Sequence, residues 1–178
     1  KAAAETYVKM AGIAFGLPHI ILSPANTYGR KNEAGWVIEY IISQMLRNRN
    51  VNLGTPNAVR DFLYVDDHVN AYLKALEFDL GEKDEIKRDL ESDINHNVFN
   101  IGAGGKRTVK DAAEIVKNII GFKGEMIEGF PTNYPWRPVV QDFLSLNAEK
   151  AKKMLDWSPA VSLEDGLKKT IDFWKSKL

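Results

Sequence analysis

Side chains able to bind or transform a charged substrate gather at four places along the chain. Lys1 heads an Ala-rich stretch, Lys-Ala-Ala-Ala-Glu. Asn26, Thr27 and Tyr28 follow an apolar run, His19 to Leu22, that stops at Pro24, and Gly29 closes them off. Arg60 opens the run Arg-Asp-Phe-Leu-Tyr-Val-Asp-Asp (60–67), and Arg137 sits before Pro138 with Asp142 a little beyond. A guanidinium presents forked donors that match phosphate oxygens and keeps its charge at any relevant pH. Arg60 and Arg137 are therefore candidates for a phosphate-bearing ligand. The alternative is a surface Arg, or for Arg60 an ion pair with Asp61. Lys1 taken by itself is an ordinary surface Lys.

Other chemistries are excluded by composition. The chain has no Cys, which rules out disulfides, thiolate metal sites and Cys nucleophiles. Its three His (19, 68 and 96) show no zinc-ligand spacing, so no metal is expected. Lys and Arg total 24, as do Asp and Glu, so nothing points to a nucleic-acid or membrane surface. No apolar run reaches the length of a membrane span and no signal peptide is present, which makes the cytoplasm the expected location. With 44% hydrophobic and 27% charged residues over 178 positions, the composition is that of an ordinary globular domain.

The elements that must position these residues follow from periodicity. Residues 2–15 carry Ala4, Tyr7, Val8, Ala11, Ala14 and Phe15 at helical spacing, and Gly16 with Pro18 ends that helix. The 19–22 run is a buried strand delivering Asn26 to Tyr28 into a loop, where ligands of open α/β sheets bind. After the polar loop 30–35 a helix shows Trp36, Val37, Ile38, Ile41, Ile42, Met45 and Leu46 on a broad apolar face. Its first N–H groups form a natural seat for a phosphate. Short strands are expected at 51–53, 62–65, 98–102 and 125–130. Asp66 is expected to cap a helix that buries Val69, Tyr72, Leu73 and Leu76. The mixed-charge segment 77–97 reads as a solvated helix extension or surface loop. Thr108 and Asp111 form a capping box for a helix to Ile120. The turn Gly102-Ala-Gly-Gly-Lys is no phosphate loop, since Arg107 and Asn100 stand where the two known fingerprints need Gly. Two further helices begin at Asn147 and Ser162, with Pro159 between them and Trp157, Leu163, Leu167, Ile171 and Trp174 as core.

Three stretches together carry a family resemblance. The Lys heading an Ala-rich helix, the strand ending Pro-Ala-Asn-Thr-Tyr-Gly, and Arg-Asp-Phe-x-x-Val-x-Asp resemble the extended short-chain dehydrogenase/reductases, the NAD-dependent nucleotide-sugar epimerases and dehydratases. The tail Lys-Ala-x-x-x-Leu-Asp-Trp-x-Pro is similar too, with Asp156 where Gly is usual. The resemblance covers nearly all the chain except 77–97.

That resemblance implies an α/β fold made of the last strands of a Rossmann-type parallel sheet plus a smaller α/β substrate-binding domain. The expected division gives 1–30 to the NAD(P)-binding domain and 31–97 to the first part of the substrate domain. Residues 98–107 would be a strand returning to the sheet, and 108–178 the rest of the substrate domain. It further implies that the chain is a C-terminal fragment. Its first residue would be the Lys of a Tyr-x-x-x-Lys motif, whose catalytic Tyr and the Gly-rich dinucleotide motif lie upstream, so the isolated chain is expected to be inactive. By the same resemblance Lys1 is catalytic and, with Pro24, binds the NAD or NADP cofactor. Asn26, Val37 and the Arg60 and Arg137 clamps would bind the nucleotide-diphosphate sugar. Val51 and Leu53 would flank the base through backbone atoms, and Asp142 would face the ribose. Tyr28 is equally well explained as structural.

The implied activity is transient oxidation of a sugar hydroxyl, followed by epimerisation or dehydration (isomerase or lyase chemistry). The Arg-Pro-x-x-x-Asp spacing leans towards GDP-mannose- or CDP-glucose-dehydratase-like members. An NDP-keto-sugar reductase and a non-catalytic nucleotide-binding relative or scaffold are the alternatives. A homodimer through the helix at 1–15 is implied in the same way.

Overall fold

Pro24 marks the point where one extended stretch changes partners, and the architecture is built around that switch. The computed structural model describes residues 1–31, 35–130 and 141–178. In chain order the elements are α1 (Ala2–Phe15), β1 (Ile21–Pro24), β2 (Asn26–Tyr28), α2 (Val37–Leu46), β3 (Val51–Leu53), β4 (Val59–Arg60) and β5 (Phe62–Tyr64). Then come α3 (Val65–Glu77), α4 (Lys83–Ser92), β6 (Val98–Ile101), β7 (Arg107–Thr108), α5 (Val109–Ile120), β8 (Met126–Glu128), α6 (Glu149–Met154) and α7 (Leu163–Lys175). Three strand pairs, β1 with β6, β2 with β5 and β3 with β8, are parallel, and β4 with β7 is antiparallel. Parallel pairs require crossovers, and helices supply them, which makes the fold α/β.

Two apolar clusters result. One gathers Ile38, Ile41, Ile42 and Met45 of α2, Val109, Ala112, Ala113 and Val116 of α5, and Leu167, Ile171 and Trp174 of α7. The alanines of α5 let its neighbours approach closely. The Thr108–Asp111 capping box fixes where α5 begins, and the Ser162 hydroxyl, accepting from Asp165 N, does the same for α7. The other cluster joins Ala25, Leu63, Ala71, Phe99, Ile101, Ala151, Leu155 and Trp157 around the β1–β6 pair.

Four expectations need correction. Asn26 to Tyr28 form strand β2, in register with Phe62 to Tyr64, and not a loop. Pairing with β6 runs through Ala25, whose N–H donates to Ile101 O, and passes to the β5 side at Asn26, whose N–H donates to Asp61 O. On α3, Val69, Tyr72 and Leu73 are each 53% exposed and Leu76 is 83% exposed. Ala71 and Asp67 face inward instead, because the Asp67 carboxylate accepts from Ala160 N and Val161 N, both at 3.0 Å, and so fixes the helix's rotation. Asp66 is no cap, since α3 begins one residue earlier, after Tyr64. Finally, segment 77–97 contains a helix that packs. A Glu82–Glu85 capping box starts α4, which buries Ile86 and Leu90 against α1.

On α1 it is Lys9 and Gly12 that turn inward, with Lys9 Nζ donating to Glu5 Oε1 at 2.5 Å and to Asn95 Oδ1 at 2.8 Å. Tyr7, Met10 and Phe15 point to solvent. Helix α6 begins two residues after Asn147, whose side chain accepts from Glu149 N.

Candidate functional site

The partner switch opens a cleft at the carboxyl end of β1. Ala25 N donates to Ile101 O at 2.8 Å, and the next residue, Asn26, donates to Asp61 O at 3.1 Å, so the chain leaves β6 and joins β5 within one peptide. Pro24 to Tyr28, Arg30, residues 36–39, Phe62 and Leu144 line the cleft. The crevice beyond the carboxyl ends of parallel strands is where such folds bind ligands. Trp36, the residue before α2, makes no side-chain capping bond, so the first turn of α2 meets the cleft without a side-chain cap.

Three buried carboxylates, each spent on backbone N–H groups, hold this geometry. Glu39, wholly buried, accepts from Gly29 N at 2.8 Å and Arg30 N at 2.9 Å, pinning the turn that leads out of β2. Asp61, also wholly buried, accepts from Ala103 N at 3.0 Å, Gly104 N at 3.1 Å and Leu146 N at 3.2 Å. Those bonds explain physically why the Gly102–Gly105 turn is no phosphate cradle: an internal carboxylate already occupies its donors. Asp67 performs the third tie, between α3 and residues 160–161. Glu39 escaped the sequence reading, although a charged residue between the apolar Ile38 and Ile41 of α2 was the signal that could have found it.

Tyr28 is a packing residue. Its hydroxyl donates to Leu163 O at 3.2 Å, and its ring meets Tyr64 and Phe62 edge-on. Burial, then the Tyr64 phenol group and nearby carboxylates, push its pKa far above the ordinary value. His68 Nδ1 lies 3.0 Å from Thr27 Oγ1, and its ring stacks on Tyr72. Burial first, and the Arg30 charge second, push this imidazole below 6.5.

Of the residues singled out from sequence, Pro24, Asn26 and Val37 come together on the cleft. The Asn26 Oδ1 is buried there without a hydrogen-bond partner among the described residues. Arg60 lies half-buried on β4, its Nη1 donating to Val59 O at 2.8 Å. It forms no ion pair with Asp61, whose carboxylate is spent elsewhere. Val51 and Leu53 are buried on β3. Asp142 is exposed, and its carbonyl accepts from Val59 N at 2.8 Å, one residue from Arg60. Lys1 is exposed at the start of α1 and does not line the cleft. Arg137 lies outside the described residues. Among the described residues no group of three or more His, Cys, Asp or Glu is placed to hold a metal ion, and no helix is long and apolar enough to cross a membrane.

The model of the NAD dependent epimerase/dehydratase family matches residues 1–102, more than half of the chain. The chain belongs to that family. Among its relatives is a putative UDP-glucose 4-epimerase of Methanocaldococcus jannaschii, 33% identical over 97% of this chain and 50% of its own length. A dTDP-glucose 4,6-dehydratase of Haemophilus influenzae is 27% identical over 98% of this chain and 50% of its own. The crystal structure of the Thermotoga maritima UDP-glucose 4-epimerase with UDP-glucose superposes with a TM-score of 0.82 at 31% identity, covering 99% of this chain and 52% of that one. The chain thus spans about half the length of the family members it matches. Its fold is that of the Rossmann-type epimerases and dehydratases.

Proposed function

We propose that the whole protein is an NAD(P)-dependent nucleotide-sugar epimerase or dehydratase, and that a 4-epimerase acting on a UDP-sugar is the best single reading. The observation that carries it is the cleft itself. Asn26, with a buried amide oxygen unpartnered among the described residues, and the first residues of α2 line the same crevice at the end of a parallel strand. An acceptor without a donor among the described residues, close to a helix N-terminus, suits a ligand that brings both hydroxyls and phosphate. The Methanocaldococcus relative is named a putative UDP-glucose 4-epimerase and the Thermotoga structure a UDP-glucose 4-epimerase, which favours that reading over the dehydratase leaning of the 137–142 spacing.

The residues fit the nicotinamide end of the cofactor. Pro24 stands exposed at the mouth of the cleft, whereas the Gly102–Gly105 turn, its donors taken by Asp61, does not offer a pyrophosphate site. When bound, a nicotinamide supplies a reversible hydride acceptor for a sugar carbinol. This chain's own part is positional. Lys1 and Pro24 hold the cofactor, Asn26 and Val37 hold the sugar diphosphate, and Arg60 and Arg137 clamp its phosphates. Val51, Leu53 and Asp142 border the nucleoside. Within the same proposal, the β1–β6 cluster is the end of the nucleotide-binding domain and the α2–α5–α7 cluster the substrate domain. Tyr7, Met10 and Phe15 on α1 form a homodimer contact, and the protein works in the cytoplasm.

The test is incubation of the whole protein with UDP-glucose, UDP-galactose and their GDP, CDP and dTDP counterparts, followed by NMR of the sugar. Interconversion at C4 is the expected result. A 4-keto-6-deoxy product would assign a dehydratase instead, and no conversion with any of them would sink the enzyme reading.

A further inference from the structure

Arg30 is the cation built into the cleft wall, and nothing so far gives it work. Its place is fixed from both ends. Glu39 Oε1 accepts from its backbone N at 2.9 Å, and the guanidinium carbon lies 4.3 Å from the centre of the Trp36 ring, with Nη1 donating to the Thr27 carbonyl. The turn before it is fixed as well. Gly29 has φ +94°, and a Cβ there would come within 2.7 Å of the Tyr64 ring. A guanidinium has five N–H donors, and among the described residues only the Thr27 carbonyl takes one. No carboxylate of the described residues lies within 4.0 Å of it, although Glu39 is close along the chain; Glu39 Oε1 takes the two backbone N–H groups, and its Oε2 is buried without a partner among the described residues. His68 is pushed towards its neutral form, so it adds no second charge to this corner.

A half-buried charge with no acidic partner among the described residues is costly unless something compensates it. Here the guanidinium lies over the Trp36 ring and the backbone is tied, while Arg30 lines a cleft beside the start of α2, itself a partial positive charge. Both features are satisfied by one oxyanion, and a planar fork suits phosphate or carboxylate oxygens. We propose that Arg30 is a ligand-contacting residue of this cleft, its guanidinium taking an anionic group of the bound nucleotide sugar: a phosphoryl oxygen, or a carboxylate carried on the sugar. The proposal rests on the nucleotide-sugar reading above and deepens it, because the carboxylate case would define uronic-acid sugars as the substrate class.

The experiment is a calorimetric titration of the whole protein as wild type, Arg30→Gln and Arg30→Lys. UDP, GDP, CDP and dTDP are tried first, then the glucose and glucuronate conjugates of whichever nucleotide binds. If the contact is to phosphate, Arg30→Gln weakens the nucleotide and both conjugates by roughly ten- to a hundred-fold, the range for a charged hydrogen bond. If the contact is to a sugar carboxylate, only the glucuronate conjugate weakens. Arg30→Lys keeps the charge without the fork and shows a smaller loss on the same ligands. Should Arg30→Gln not fold, Arg30→Lys decides alone. Weaker binding at an unchanged Tm supports the contact, and unchanged binding overturns it. Full affinity of Arg30→Gln for every ligand that wild type binds overturns the proposal and leaves the function standing. Failure of wild type to bind any of the four nucleotides overturns both.

Discussion

Asp61 accepts a hydrogen bond from the backbone of Gly104 at 3.1 Å, tying the end of β4 to the turn that follows β6. The same carboxylate takes Ala103 N and Leu146 N, while the Asp61 carbonyl receives Asn26 N. One residue thus joins both strand pairs that border the cleft. Gly102 is required beside it, since a Cβ there would lie 2.9 Å from Leu146 Cβ and collide with the Asp61 carboxylate.

Replacing Asp61 by Ala takes the acceptor from three backbone donors that are only partly buried, so water can meet some of them and the cost per bond stays near the low end of about 1–3 kcal/mol. Asp61→Ala is expected to lose about 3 kcal/mol in urea denaturation. Asp61→Asn, which keeps one acceptor oxygen, should lose clearly less. Equal losses for the two would mean that the N–H bonds are not what the carboxylate provides.

Glu39 offers a cleaner contrast. Glu39→Gln preserves an oxygen for the Gly29 and Arg30 N–H groups, whereas Glu39→Ala leaves both without a partner in a buried place. The expected outcome is a loss of about 2 kcal/mol for Ala and less than about 1 kcal/mol for Gln. Nucleotide affinity should fall with Ala only, since the turn then no longer presents Arg30. Loss of affinity in the Gln variant at full stability would show that the carboxylate charge itself matters to the ligand.

These ties show what the sequence made legible and what it hid. The α5 capping box, the αL glycine ending α1 and the apolar faces of α2, α5 and α7 were readable because each depends on residues within a few positions of one another. The family was readable because Asn26 and the 60–67 run keep their spacing. The outward stripe of α3 was misread for a physical reason: periodicity reveals that a helix has an apolar face, not which element covers it. Asp67, bonded to a segment more than ninety positions later, decided the matter. The three carboxylate ties are equally long-range or concealed, and a lone Asp or Glu carries no local mark of the N–H groups it will meet. Lys1, Arg60 and Asp142, singled out by motif, do not line the cleft that Asn26 and Val37 share.

Two titrations should leave opposite marks on stability. The Tyr28 hydroxyl holds its proton in the folded state well beyond the ordinary 10.0, so above pH 10 the unfolded chain releases a proton that the folded chain keeps. Stability therefore falls as pH rises through that range. His68 is the reverse case. Its folded pKa lies below 6.5, so below pH 6.5 the unfolded chain binds a proton first and stability falls as pH drops. Denaturation across pH should show both slopes, with Tyr28→Phe flattening the alkaline one and His68→Gln the acid one. Tyr28→Phe should leave the pH–rate profile of the whole protein unchanged, and a shifted profile would make Tyr28 more than a packing residue.

Val69, Tyr72, Leu73 and Leu76 on α3, with Tyr7, Met10 and Phe15 on α1, leave two apolar stripes in solvent. Among the described residues β1 pairs only with β6, so its other edge has free N–H and C=O groups. An open edge flanked by apolar helices invites association. Residues 1–178 produced alone are expected to elute well above their 20.0 kDa mass, with Leu73→Lys and Leu76→Lys together reducing that association. A monodisperse monomer with a cooperative melt would overturn this.

Arg60 is the most direct test of the site map drawn from the family resemblance. It stands on β4, one residue from the Asp142 contact, with its guanidinium bonded only to the Val59 carbonyl among the described residues. A phosphate clamp and a structural Arg predict different results on one substitution. As a clamp, Arg60→Ala in the whole protein weakens nucleotide-diphosphate binding by about 1.5–3 kcal/mol, the loss of a charged hydrogen bond, and leaves Tm nearly unchanged. As a structural residue it lowers Tm and leaves affinity intact. Combining Arg60→Ala with Arg30→Gln then asks whether the two cations serve one ligand. Losses larger or smaller than the sum would show that both act on the same anion, and strict additivity would show that they meet separate groups.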